Sequence, residues 1–255
     1  MKADNILKIV LPLLVTALIL IFWEICGEIG IINTALFSSP SRIASYLINS
    51  NVLLAHITHS LMRLGISVLI GYTLGLVVGI IITDYANLGF LEDFVSFFMS
   101  IPGIAWAPLF ILILGFGDVT IITVGIITAF FPVVYNIIHG LREVNTNLIH
   151  LGDILQYNYF QKLTIIKLPA IMNYLLIALK LSFARTWRTV IAVEMIAASM
   201  FGLGYMIFDA RELINSKAMF TGIIMSGLIY FVIENVFIRI IEKFTVLKWG
   251  MKVKI

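Results

Sequence analysis

The segment His150–Pro169, HLGDILQYNYFQKLTIIKLP, decides how this chain is read. Polar and charged residues recur along it, yet strongly apolar stretches stand on both sides. It reads as about twenty residues of polar, helical chain. A membrane protein that interrupts its spans in this way offers the segment to a partner outside the bilayer, because connecting segments are where binding residues concentrate.

The flanking composition makes this a membrane protein. Of 255 residues, 61% are hydrophobic and only 12% charged, with a mean hydropathy of +1.07. Soluble proteins average about 25% charged residues. Lipid is therefore the solvent for most of the chain. A spanning helix needs about 20 mainly apolar residues, and six stretches qualify: 6–27, 59–83, 91–115, 119–141, 169–199 and 219–242. The expected fold is an all-α integral membrane protein with six transmembrane helices. It forms one transmembrane domain over 1–255, with a polar loop at about 142–168. The stretch 31–54, carrying the turn signal SSPS at 38–41, is expected to be a short interfacial helix outside the bilayer.

The run LPLLVTALILIFW after Lys2 and Lys8 is longer than a signal-peptide core, and no small-residue cleavage site promptly follows it. It reads as a retained first span. The net charge of +3 is too small and scattered to imply nucleic acid. Cys26 is the lone cysteine, so it offers neither a disulfide nor a metal constellation. Lys and Arg favour the cytoplasmic side. With six spans, Lys2, Arg142, Lys162, Lys167, Lys243, Lys248, Lys252 and Lys254 share one side. The other receives chiefly Arg42, Arg211 and Lys217, with Arg63 near a helix end. Both termini and the polar loop are therefore expected to be cytoplasmic.

Three spans carry unusual residues. Gly71, Gly75 and Gly79 form a small-residue stripe, which lets another helix approach closely; packing within the chain is favoured over a dimer seam. SIPGIAWAPLFILILGFG places Pro102 and Pro108 in one span, with Trp106 between them. Proline removes a backbone donor, and in lipid the freed carbonyl needs a neighbouring helix or a wet cavity. This span is expected to kink toward the bundle interior. LKLSFARTWRTVIAVEM puts Lys180, Arg185, Arg188 and Glu194 into one apolar run. Such charges are costly in lipid and face a polar interior. At about 100° per residue all four lie within one half of the helix. Glu194 is neither three nor four residues from an arginine, so same-helix pairing fails. One reading pairs Lys180 and Arg185 with acids such as Glu234; the other places the charges on a translocation path for an anion. Pro102, Trp106, Pro108, Arg185, Arg188 and Glu194 are the path candidates.

No Walker-type phosphate loop, nucleophile–base set or metal-ligand cluster occurs at useful spacing. His56 and His59 stand three apart without a third ligand. No catalytic residue and no bound metal or cofactor is expected in this chain.

The order of these features resembles the inner-membrane permease subunit of binding-protein-dependent ABC importers. The similar branch serves nitrate, sulfonates, taurine, bicarbonate and some thiamine precursors. The resemblance runs over about 38–249. It rests on SSPSRI at 38–43, HSLMRLGISVLIGYTLGLVVG at 59–79, the proline-bearing third span, and Trp187 to Met195 leading to GLGY at 202–205. The quoted loop also resembles the family's EAA pattern, in which EAA, three residues, Gly and nine residues precede I-x-L-P. Gly152 falls on the third position, and Ile166, Leu168 and Pro169 on the ending. His150 and Leu151 replace the acidic-Ala start, with Asp153 the nearest carboxylate, and Gln156 stands where the family has Gly. Losing that Gly is expected to remove the bend between two short helices.

The resemblance implies a type I importer (MetI-like) architecture in a prokaryotic inner or plasma membrane. It implies a permease homodimer, two ABC ATPase subunits on the cytoplasmic side that use ATP and Mg, and an extracytoplasmic substrate-binding protein. The coupling segment would lie around 152–161. The cargo would be a small polar or anionic solute, with a thiamine-precursor pyrimidine as the alternative. Arg188 replaces a usually apolar residue and so suits an anion. The rival classes are an ATP-independent carrier and a scaffold. A carrier should show inverted repeats, which are not visible, and a scaffold leaves the intramembrane charges unexplained.

Overall fold

A computed structural model describes residues 2–30, 33, 36–84, 90–198 and 200–241, the side chains of 2–9, 237 and 238 excepted. Glu242, expected to end the sixth span, and Lys243, Lys248, Lys252 and Lys254 lie outside the described residues. Every regular element among the described residues is helical. Among the described residues, four helices are long and apolar enough to cross a membrane, or up to six if each of two bent pairs counts as one span.

α1 (Lys2–Glu28) exposes nearly all its described apolar side chains, as a helix solvated by lipid would. α2 (Pro40–Asn49) is shorter than the interfacial helix expected over 31–54. Proline starts it because a first-turn N–H has no intrahelical partner in any case. Glu24 of α1 supplies the missing acceptor, taking Ser41 N–H at 2.9 Å and Ser41 Oγ at 2.6 Å.

α3 (Leu53–Asp84), α6 (Asp118–Arg142) and α10 (Met172–Ala197) pack together as the bundle core. The glycine stripe of α3 is the contact with α6: a Cβ on Gly71, Gly75 or Gly79 would lie 2.7 Å from the Cβ of Ala129, Val133 or Ile137. Carbonyl oxygens of Ile126 and Phe130 would stand 2.7 and 2.9 Å from the first two, so backbone meets backbone.

Between them the third stretch does not run as one helix. α4 (Phe90–Ser100) and the segment Gly103–Leu114 meet at 90°. That segment is a 3₁₀ turn (Gly103–Trp106) followed by α5 (Ala107–Leu114). Pro102 lacks the N–H that would continue α4, and Pro108 sits in the first turn of α5, where it is tolerated. Gly115 and Gly117, at φ 78° and 121°, then turn the chain into α6.

α7 (Thr146–Ile154), α8 (Tyr159–Gln161), a π-helical turn (Lys162–Lys167) and α9 (Leu168–Ala170) form the polar loop. The chain bends by 70° between Tyr159–Ala170 and α10. α11 (Leu203–Glu212) and α12 (Ser216–Val232), extended by a π turn (Ile233–Ile238), complete the described fold.

Candidate functional site

The break between α4 and α5 opens a cavity of about 370 Å³ against α6 and α10. Pro102, Trp106, Arg185 and Arg188 all line it, so four of the six path candidates meet at one place. Pro108 is exposed on α5, outside this lining. One wall is an aromatic stack: Phe98 lies 5.9 Å from Trp106 at 16° and 5.2 Å from Phe131 at 11°. Gly103 presses between α6 and α10, where a Cβ would come within 2.3 Å of Thr189 Oγ1 and 2.6 Å of Thr128 Oγ1.

The two arginines have different surroundings. Arg185 Nη1 donates to the Met99 carbonyl at 3.1 Å, an oxygen orphaned because α4 stops there. Pairing of Arg185 with Glu234, one sequence expectation, is replaced by this cap. Arg188 is exposed to the cavity and makes no hydrogen bond or ion pair among the described residues. Tyr230 of α12 is within electrostatic reach of both Arg188 and Glu234.

Glu194, 1% exposed, lies elsewhere. Its carboxylate accepts from Arg63 Nη1 at 2.7 Å, from Ser60 Oγ at 2.8 Å and from Gly204 N–H at 2.9 Å. Arg63, itself 2% exposed, also donates to the Phe201 carbonyl at 2.7 Å. Its Nε and Nη2 reach Asp118 Oδ1 at 2.9 and 2.5 Å. Leu203 N–H donates to Ser60 Oγ at 2.8 Å. The turn before α11 therefore folds directly over the ion pair, and only glycine fits: a Cβ at Gly202 would stand 2.5 Å from Arg63 Nη1.

In the polar loop, α7 ends with Tyr157 N–H on the Gly152 carbonyl at 2.9 Å and Gln156 N–H on the Asp153 carbonyl at 3.0 Å. This is the paired hydrogen bonding of a Schellman stop. Gln156 takes the left-handed conformation at φ 55°. The bend that its side chain was expected to remove is present. Across it, Asn158 and Gln161 form a capping box at 2.9 and 2.8 Å, and Lys162 pairs with Asp153. Lys162 donating to the Asp153 carboxylate holds that group below the usual carboxylate range.

Gly152 is buried under Ile166, and Leu168 packs onto the core formed by Val133, Ile137 and Leu141. Pro169 is half-buried in the first turn of α9. Lys167 and Tyr159 both reach Asp84 at the end of α3, at 2.5 Å. His150, with a ring nitrogen 3.9 Å from Asp153, and Leu151 face outward. Ile154 and Phe160 are 78% and 73% exposed, beside exposed Leu155. The hairpin is thus braced on the bundle and presents an apolar tip.

Residues 71–245 match the family described as binding-protein-dependent transport system inner membrane component. The chain belongs to that family. This permease is 31% identical to the putative aliphatic sulfonates transport permease protein SsuC of Bacillus subtilis, over 93% of this chain and 86% of that protein. It is 24% identical to the taurine transport system permease protein TauC of Escherichia coli, over 86% and 82%. An inward-facing structure of the MetNI methionine ABC transporter shares the fold, with a TM-score of 0.64 and 19% identity over 75% of this chain and 95% of that one. The permease is a non-enzymatic, multi-pass inner-membrane subunit of an ABC importer.

Sequence reasoning missed Arg63, Ser60 and Asp118 of the permease. The available signal was Glu194: an acid in an apolar span with no same-helix partner requires a cation on another span, and Arg63 interrupts the apolar run of α3.

Proposed function

We propose that two copies of this permease form the path of an ATP-driven importer for a small organic anion, and that the α4–α5 cavity receives its anionic group. The observation that carries this reading is the convergence of Arg188, which makes no hydrogen bond or ion pair among the described residues, and a stacked aromatic wall in one cavity. A planar guanidinium suits two-pronged recognition of an oxyanion, and the aromatic wall suits a short apolar body. The relatives are named for aliphatic sulfonates and taurine, and a further one, at 24% identity, for nitrate.

The α7–α8 hairpin is the proposed seat of the ATPase, with ATP and Mg held by that partner. Exposed Ile154, Leu155 and Phe160 provide an apolar knob for a groove, and the bracing onto Asp84 and the core passes its displacement to the bundle. Arg142, Lys162 and Lys167 lie at this end, which the positive-inside tendency places in the cytoplasm together with both termini. The extracytoplasmic binding protein then meets the opposite end.

Taurine uptake into proteoliposomes containing the assembled importer tests the reading. A charge-assisted hydrogen bond contributes roughly 1.5–3 kcal/mol, so Arg188→Leu is expected to lower uptake about ten- to a hundredfold, with Arg188→Lys intermediate and ATPase assembly unchanged. Equal uptake by parent and Arg188→Leu would sink the anion assignment.

A further inference from the structure

We propose that Arg63, Glu194 and Asp118 form the outer gate clasp of the transport path, with a fixed half and a releasable half. The proposal rests on the reading of the α4–α5 cavity as part of that path. Glu194 lies about 9 Å along α10 from Arg188, toward the end of the bundle opposite the α7–α8 hairpin. The clasp therefore stands between the cavity and the far side of the membrane.

The two halves differ in what release would leave behind. The Arg63–Glu194 pair is enclosed, with the two side chains 2% and 0% exposed. Ser60, the Phe201 carbonyl and Gly204 N–H complete its hydrogen bonding. Separating it would strand a charge in a dry site, which is far costlier than parting an exposed pair. Asp118 is 44% exposed, so on release water can take over its carboxylate. Arg63 would still keep Glu194 and the Phe201 carbonyl.

Asp118 also stands where the chain can turn. It opens α6 immediately after Gly115 and Gly117, both at positive φ and both with open space where a Cβ would stand. On the other side of these glycines is α5, which continues from the break that walls the cavity. Gly117 N–H on the Ala197 carbonyl, at 2.8 Å, is a second tie at the same corner. Arg63–Asp118 accordingly holds the α5–α6 corner against α3 and α10. Parting it loosens the α5–α6 corner against α3, with the two glycines as the pivot, while Ala107 keeps α5 packed on Ile121, Val124 and Val190 and the core helices stay paired.

The test uses the complete importer in right-side-out membrane vesicles, with Cys26→Ser to remove the native thiol and Thr128→Cys as a reporter in the cavity. An impermeant thiol reagent is added from outside. Without ATP, the reporter protein should label slowly. Adding Asp118→Asn, or Asp118→Ala as a second route to the same loss, should raise the labelling rate several-fold. Asp118→Glu, which restores the charge, should return it toward the parent rate. Asparagine and alanine variants that label no faster than the parent would overturn the clasp. ATP with the binding protein should also raise labelling of the parent. If turnover leaves it unchanged, the path reading falls, and the clasp falls with it. If turnover accelerates labelling while the Asp118 variants match the parent, the clasp alone is wrong.

Discussion

Gly152 and Ile166 touch across the polar hairpin: a Cβ at Gly152 would stand 2.7 Å from Ile166 Cδ1. The obstructing atom is the far end of a flexible side chain, not backbone. Alanine inside a helix gains about 0.5–1 kcal/mol over glycine, and a small rotation of Ile166 offsets part of that. Gly152→Ala should therefore leave thermal stability in detergent within about 0.5 kcal/mol of the parent or slightly above it. Gly152→Leu, which no rotation of Ile166 accommodates, should free the hairpin and expose it to protease. A marked loss of stability with alanine would show that Ile166 cannot yield.

Gln156 carries a local strain that glycine would relieve. A left-handed backbone costs an L-residue roughly 1–2 kcal/mol, although glycine returns some of this through the entropy of the unfolded chain. Gln156→Gly is expected to stabilise the end of α7 by about 0.5–1 kcal/mol. The Tyr157 amide, bonded to the Gly152 carbonyl at 2.9 Å, reads this directly. Its hydrogen exchange should slow two- to fivefold. Faster exchange in the glycine variant would mean that the Gln156 side chain holds the turn in a way its backbone angle does not reveal.

The Asp153–Lys162 pair gives the hairpin a defined response to acid. Lys162 donating to the carboxylate depresses the folded-state pKa of Asp153. A depressed acid contributes stability that is present above its unfolded value and is lost as pH falls through the folded one. Protease protection of the 155–158 turn should hold steady from pH 8 down to the usual carboxylate range, then decline as pH falls through that range and below it. Asp153→Asn should bring the acid behaviour to neutral pH. Loosening of the parent hairpin between pH 7 and 5 would contradict this.

Part of this architecture is legible in the sequence alone. The apolar stretches were readable because hydrocarbon thickness fixes their length. The break after Ser100 was foreshadowed by Pro102, since a missing donor is a property of the residue itself. Placing intramembrane charges and kinks toward the interior groups Pro102, Trp106, Arg185 and Arg188, which do line one cavity, but the same argument includes Pro108 and Glu194, which lie elsewhere. The 70° bend before α10 had no such warning, and neither did the bend at Gln156. Glutamine has no preference for the left-handed region, and surrounding hydrogen bonds impose it. The Arg63–Glu194 pair was hidden for another reason. Its partners lie on α3 and α10, and helical periodicity contains no information about contacts between helices far apart in sequence.

That pair leads to a prediction about stability that is separate from gating. Arg63→Met should cost about 3–5 kcal/mol, because it leaves Glu194 buried without its cation. Adding Glu194→Gln should recover part of the loss. A neutral carboxamide has no charge to strand, and its oxygen can still accept from Ser60 Oγ and Gly204 N–H, the donors now at 2.8 and 2.9 Å. The double variant should thus be more stable than Arg63→Met alone, with a coupling between the two sites of about 1–3 kcal/mol. Thermal unfolding of the four proteins in one detergent measures it. If the two losses simply add, the carboxylate is relieved by proton or water once Arg63 leaves, and the ion pair serves to orient the Gly202–Gly204 turn rather than to neutralise a buried charge.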